Sequence, residues 1–120
     1  MRFQEPKTRT FVAASDLSTK AYHGVKFTAN FNEVDIAGVG DAEGILMNCP
    51  KAGEAAEVAM IGGGALGHAG SAIAIGDKVS SDAAGKLVPA SSGNTVVGKA
   101  LSAAATDEYF EIERLEYVQA

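Results

Sequence analysis

Two histidines, one cysteine and a glycine run ending on a histidine are the residues whose types invite chemistry. They are His23, His68, Cys49 and Gly62-Gly63-Gly64-Ala65-Leu66-Gly67-His68. A nucleotide cradle needs glycines for close backbone approach, a helix N-terminus behind them, and a Lys with a hydroxyl. No Gly-Lys-Ser/Thr follows here, and the GxGxxG spacing is met only by forcing Gly62, Gly64 and Gly67 into it. The run reads as a flexible loop or irregular segment. His23 and His68 lie far apart, and neither has a Cys or His at ligand spacing, so no structural zinc site is expected. Nucleophilic catalysis requires a base and an orienting group beside Ser or Cys49, and no local signature announces one. Glu108, Glu111, Glu113 and Glu116 read as a solvated strand face rather than a paired acid and base. Cys49 reads as a small buried hydrophobe. No catalytic, metal or cofactor residue is assigned, and no enzyme is expected.

The elements that would position such residues are short strands between small polar turns. Val25–Ala29 alternates with Val25, Phe27 and Ala29 on one face. Val34–Ala37 and Gly44–Asn48 are further strands, the second buried, and Asn30–Glu33 is ambiguous. Pro50 breaks the chain after Asn48, since proline cannot donate to a ladder. Glu54–Ile61 fits a helix by composition and a strand by length; strand is the reading adopted. A short helix is an option for Ala69–Ile75. From Asp77 to Leu101 three strands, separated by turns at Asp82–Gly85 and Ser91–Asn94, predict a meander. In Asp107–Val118, Phe110 and Ile112 share one face, with Tyr109, Glu111 and Glu113 opposite.

One domain is expected from 120 residues, a length that can bury a core without disulfides. Ala and Gly are abundant and Trp is absent, so that core is thin, and self-association would supplement it. Val58–Gly76 holds no Asp, Glu, Lys or Arg, nearly the length of a membrane span. Its six glycines and five alanines make a β core with turns the better reading, and no membrane partner is expected. No secretory signal is visible in Met1–Thr10. A single cysteine permits no intrachain disulfide, which fits a reducing compartment.

The net charge of −5 is unevenly placed. Residues 1–20 hold Arg2, Lys7, Arg9 and Lys20 against Glu5 and Asp16, a net of +2, which leaves −7 for the remainder. An acidic body repels phosphates, so nucleic acid is disfavoured as a partner. The expected organisation is an extended N-terminal arm over residues 1–20 and a mainly β domain over residues 21–120. Thr8–Ala13 has the option of pairing as an edge strand. In the arm, Arg2, Lys7 and Arg9 can meet carboxylates, and Phe3 and Phe11 are apolar anchors. Those five residues are the expected contacts to a neighbouring protein or subunit, with residues 1–15 poorly ordered in the free protein.

The order Ile75-Gly76-Asp77-Lys78-Val79, then Asp82 through Ala90, then Val97-Gly98-Lys99-Ala100-Leu101-Ser102-Ala103-Ala104, then Glu108-Tyr109-Phe110-Glu111-Ile112 resembles a family of small phage capsid-cement, or head-decoration, proteins. The resemblance runs from Ile73 to Leu115. It implies a compact, barrel-like β-tulip fold, often a homotrimer, bound to the major capsid protein. It also implies a place on the outer capsid surface of the virion where capsomers meet, where such proteins stabilise the expanded shell, and synthesis in the host cytoplasm. No catalytic residues carry over from such a family. The competing reading is a β-barrel carrier or small-ligand module of the biotinyl-like kind. It lacks the Met-Lys-Met hairpin, for which Gly85-Lys86-Leu87 is a poor substitute.

Overall fold

A computed structural model describes residues 7–119. Ten strands and no helix make up its regular structure: β1 (Thr8–Ala13), β2 (Gly24–Phe27), β3 (Glu33–Ile36), β4 (Gly44–Leu46), β5 (Ala55–Ala59), β6 (Gly64–His68), β7 (Lys78–Ser81), β8 (Leu87–Pro89), β9 (Thr95–Ala100) and β10 (Tyr109–Val118). The first five close into a barrel in the order β1-β3-β2-β4-β5, and the last five form an open sheet in the order β6-β10-β9-β7-β8. The mainly β, barrel-like fold expected from the sequence is therefore present.

Side-chain alternation decides which faces meet. Phe11 and Ala13 of β1 point into the barrel with Leu17, Val25, Val34, Leu46, Ala56 and Val58. A second cluster joins Ala37, Ala42, Ile45 and Ala59 of the barrel half to Val79, Leu87, Val97, Phe110 and Ile112 of the open sheet. Ile45 and Leu46 are neighbours on β4 and enter different clusters, which is why all of β4 is buried. Many alanines line both clusters, so the two sheets approach closely over a core of small side chains.

Several expectations need correction. The arm does not extend over residues 1–20: β1 pairs antiparallel with β5 from Thr8↔Ala59 to Val12↔Ala55, and parallel with β3. Apolar burial of Phe11 and Ala13 inside a closed barrel holds this strand in spite of the charges around it. The expected disorder of residues 1–15 does not describe residues 7–15, and residues 1–6 lie outside the described residues. The segment 77–101 is not a simple meander. β7 pairs with β8 through the expected turn, but β9 then crosses to the other side of β7, at Lys78↔Lys99 and Val79↔Gly98. β8 becomes an edge strand, which suits Pro89. No helix forms over 69–75; isolated bridges Ala69↔Leu87 and Ile73↔Ala104 occupy it instead.

The turn at Asp82–Gly85 is built as its residues suggest. The Asp82 carboxylate accepts from the Ala84 and Lys86 amides at 2.9 Å each, and Gly85 takes φ +82°.

Candidate functional site

The five residues expected to make contacts are not gathered in one flexible arm. Arg2 and Phe3 lie outside the described residues. Lys7 is exposed, and its carbonyl accepts from the Met60 amide at 2.7 Å. Arg9 is exposed, with its guanidinium 5.5 Å from the centre of the Phe11 ring. Phe11 is only 5% exposed, so it is a barrel core residue and not a surface anchor. Cys49 is exposed rather than buried, because Pro50, its neighbour in the turn after β4, takes the inward position.

Of the glycine run, only Gly62 and Gly63 lie in a turn. Gly64–His68 is β6, paired with β10 from Tyr109↔His68 to Glu113↔Gly64. Gly67 faces Ile112, Leu87 and Phe110, where any side chain would collide with the core. Gly67 serves close packing against side chains of β8 and β10, and no helix follows the run to hold a phosphate. Lys86, weighed as a modifiable hairpin lysine, sits in an ion pair with Asp107 at 2.9 Å.

Arg114 escaped the sequence reading. It continues the inward alternation of Phe110 and Ile112 and is 1% exposed. Its Nε donates to Ala59 O at 3.0 Å and Nη2 to Glu43 O at 3.1 Å, both on the barrel half. Nη1 donates to Val97 O and, at 2.9 Å, to Leu115 O, both on the open sheet. The β10–β9 register slips between Arg114 and Tyr117, and this bulge turns the Leu115 carbonyl toward the guanidinium. Burial lowers the Arg114 pKa, and the Glu116 carboxylate, 3.9 Å away, raises it. One side chain thus ties together the two halves of the molecule. Period-2 register was the signal that could have found it; its charge argued for the wet face.

A second seam between the halves holds both histidines. Their ring centres are 4.7 Å apart, although 45 positions separate them in the chain. His23 is 3% exposed, and its Nδ1 donates to Ala21 O at 3.0 Å. The His68 amide donates to Tyr22 O at 2.9 Å, and its Nε2 donates to Asp107 Oδ1 at 3.0 Å. The Tyr109 ring lies edge-on to both His68 and Tyr22. Burial lowers the His23 pKa most, and the neighbouring His68, Lys20 and Lys86 lower it further. The Asp107 carboxyl is lowered by its hydrogen bonds from His68 and Lys86.

The pH consequence of His23 has a definite sign. Below pH 6.5 the unfolded chain takes up a proton on this residue that the folded chain refuses until its lower pKa is reached. Stability therefore falls as pH drops from about 6.5 toward that folded pKa. Melting temperatures between pH 7.5 and 5 are expected to fall for the wild type and to fall less for His23→Asn. A wild-type melting temperature that is flat across this range would contradict the buried, neutral His23.

Among the described residues there is no pocket and no group of three His, Cys, Asp or Glu arranged for a metal. No helix among them is long and apolar enough to cross a membrane. The described residues form a small two-part β body, a closed barrel joined to an open five-stranded sheet. A family model described as phage cement protein matches residues 4–114, and the chain belongs to that family. It is a phage structural protein associated with the capsid. The fold is similar to that of the head fiber gp8.5 N base in bacteriophage phi29. That structure has 21% sequence identity and a TM-score of 0.68, with 92% of this chain and 98% of that one covered. Comparison with curated proteins finds no match.

Proposed function

We propose that this protein is a decoration protein that cements the phage head. It binds the major capsid protein on the outer surface of the shell, between capsomers, and stabilises the expanded lattice. The observation that carries this reading is the phage cement family match across residues 4–114. The phi29 neighbour, described as the base of a head fiber, is another protein of this fold that belongs to a phage head. The protein is not an enzyme and uses no cofactor in this reading; neither nucleic acid nor membrane is a partner. It is made in the host cytoplasm and carried on the virion.

The working unit is a homotrimer, in the β-tulip manner of head-decoration proteins. A trimer joins three modest contacts in one body, and such linkage raises overall affinity far above that of one contact. Sedimentation of the free protein, followed by imaging of shells to which it has been added, tests the assembly. Density for three copies around one site on the outer face is expected. Single, separated copies both in solution and on the shell would rule the trimer out.

A further inference from the structure

We propose that the histidine seam is an acid-operated latch between the two halves: a proton on His23 parts the chain before β2 from the end of β6, while the rest of the barrel–sheet contact holds. This goes beyond the cement reading and does not depend on it. The two rings come from opposite halves, with centres 4.7 Å apart. His23 is almost wholly buried, and its Nδ1–H is spent on Ala21 O. A second proton therefore goes to Nε2, which no described residue meets with an acceptor. The charged groups that act on His23 are His68 on β6, Lys20 on its own segment and Lys86 at the end of the β7–β8 turn, each cationic when charged. Asp107 meets His68 and Lys86 at 3.0 and 2.9 Å, Asp82 accepts from the Ala84 and Lys86 amides, and Glu108 accepts from the Ala105 amide; none of these carboxylates bonds to His23. β4 reaches His23 through the Leu46 amide and brings no titratable group. The phenols of Tyr22 and Tyr109 complete the seam. A buried imidazolium among like charges and without an acceptor is costly, and moving the ring into water relieves it.

Backbone strain at the same seam works against the closed latch. Four turns share one design, in which the first residue's amide and carbonyl both bond to the fourth residue: Lys51–Glu54, Ala74–Asp77, Ser91–Asn94 and Ala105–Glu108. The third place holds Gly53, Gly76 and Gly93 in the first three, with φ from +82° to +91°. In the fourth it holds Asp107, at φ +67°. A conformation that glycine fills at less cost is here given to the residue whose carboxylate clamps His68. Tyr22, at φ +66°, is also left-handed, and its carbonyl accepts from the His68 amide at 2.9 Å. Of the three non-glycine residues with positive φ among the described residues, two thus flank this seam. Away from it, Arg114 joins the halves, and so does the Thr95 amide, which donates to Gly40 O at 2.9 Å. Neither of those junctions contains a histidine, so acid leaves them closed.

The test is amide exchange of the free protein, followed by NMR as protection factors between pH 7.5 and 5, with the His23 ring signals recorded alongside. The His68 amide should lose protection severalfold as pH falls below 6.5, while the Thr95 amide keeps its own. The His23 ring should take up its proton with the same midpoint. In His23→Asn, which cannot titrate there, His68 protection should stay level. Asp107→Asn removes the charge that pins His68 and keeps a residue tolerant of left-handed φ, so its seam should open at higher pH than in the wild type. Joint loss of His68 and Thr95 protection would mean unfolding of the whole molecule and overturn the latch. Full His68 protection at pH 5 would overturn it too, as would an equal loss in His23→Asn. If His23→Asn does not fold, the wild-type ring decides: a His23 that stays neutral while the His68 amide opens is not the trigger.

Discussion

Arg114→Ala is expected to lower stability by about 3–5 kcal/mol, since hydrogen bonds from a charged donor are worth about 1.5–3 kcal/mol each and several are lost together. Its guanidinium donates to four carbonyls drawn from both halves of the molecule. Truncation leaves those acceptors buried without donors, each costing about 1–3 kcal/mol if water does not reach it. Arg114→Lys is expected to recover only part of the loss. An ammonium has three donors on one nitrogen and cannot span acceptors that a planar fork reaches. Chemical denaturation of the three proteins measures this directly. An Arg114→Ala midpoint within error of wild type would mean that the guanidinium does not join the two sheets.

Gly67→Val is expected to be nearly as damaging. A side chain here meets Ile112, Leu87 and Phe110 in the cluster between the sheets. Overpacking of this kind costs about 1–3 kcal/mol, and more where backbone must shift. The comparison is Ile61→Ser, a few residues earlier and 55% exposed, which should stay within about 0.5 kcal/mol. The pair separates two accounts of the glycine run. A loop kept open for a ligand would tolerate valine in the free protein, whereas a packed strand would not. Equal stability for Gly67→Val and wild type would restore the loop.

Much of the strand content was legible because it rests on local alternation. Val25 and Phe27 on one face of β2 and the Phe110–Ile112 face follow the period-2 rule, and the short apolar run of Ile45 and Leu46 marks a strand buried on both faces. The illegible parts depend on what lies across the sheet. Gly67 is a strand residue only because Ile112 and Leu87 stand opposite, and no local window contains them. β9 and β8 flank β7 on opposite sides, a choice set by long-range pairing and not by the turn at Ser91–Asn94. Phe11 and Arg9 look alike to a reading of arm composition, yet barrel closure buries one and leaves the other outside. The histidine seam is similar, since only the packing of barrel on sheet brings His23 to His68.

The most direct test of the cement role is addition of the purified protein to expanded phage shells that lack it, with unexpanded shells alongside. Bound protein and shell survival on heating are both measured. Saturable binding to expanded shells, little to unexpanded ones, and a higher temperature of shell disruption are the expected results. Shells that neither bind the protein nor gain heat tolerance from it would contradict the account.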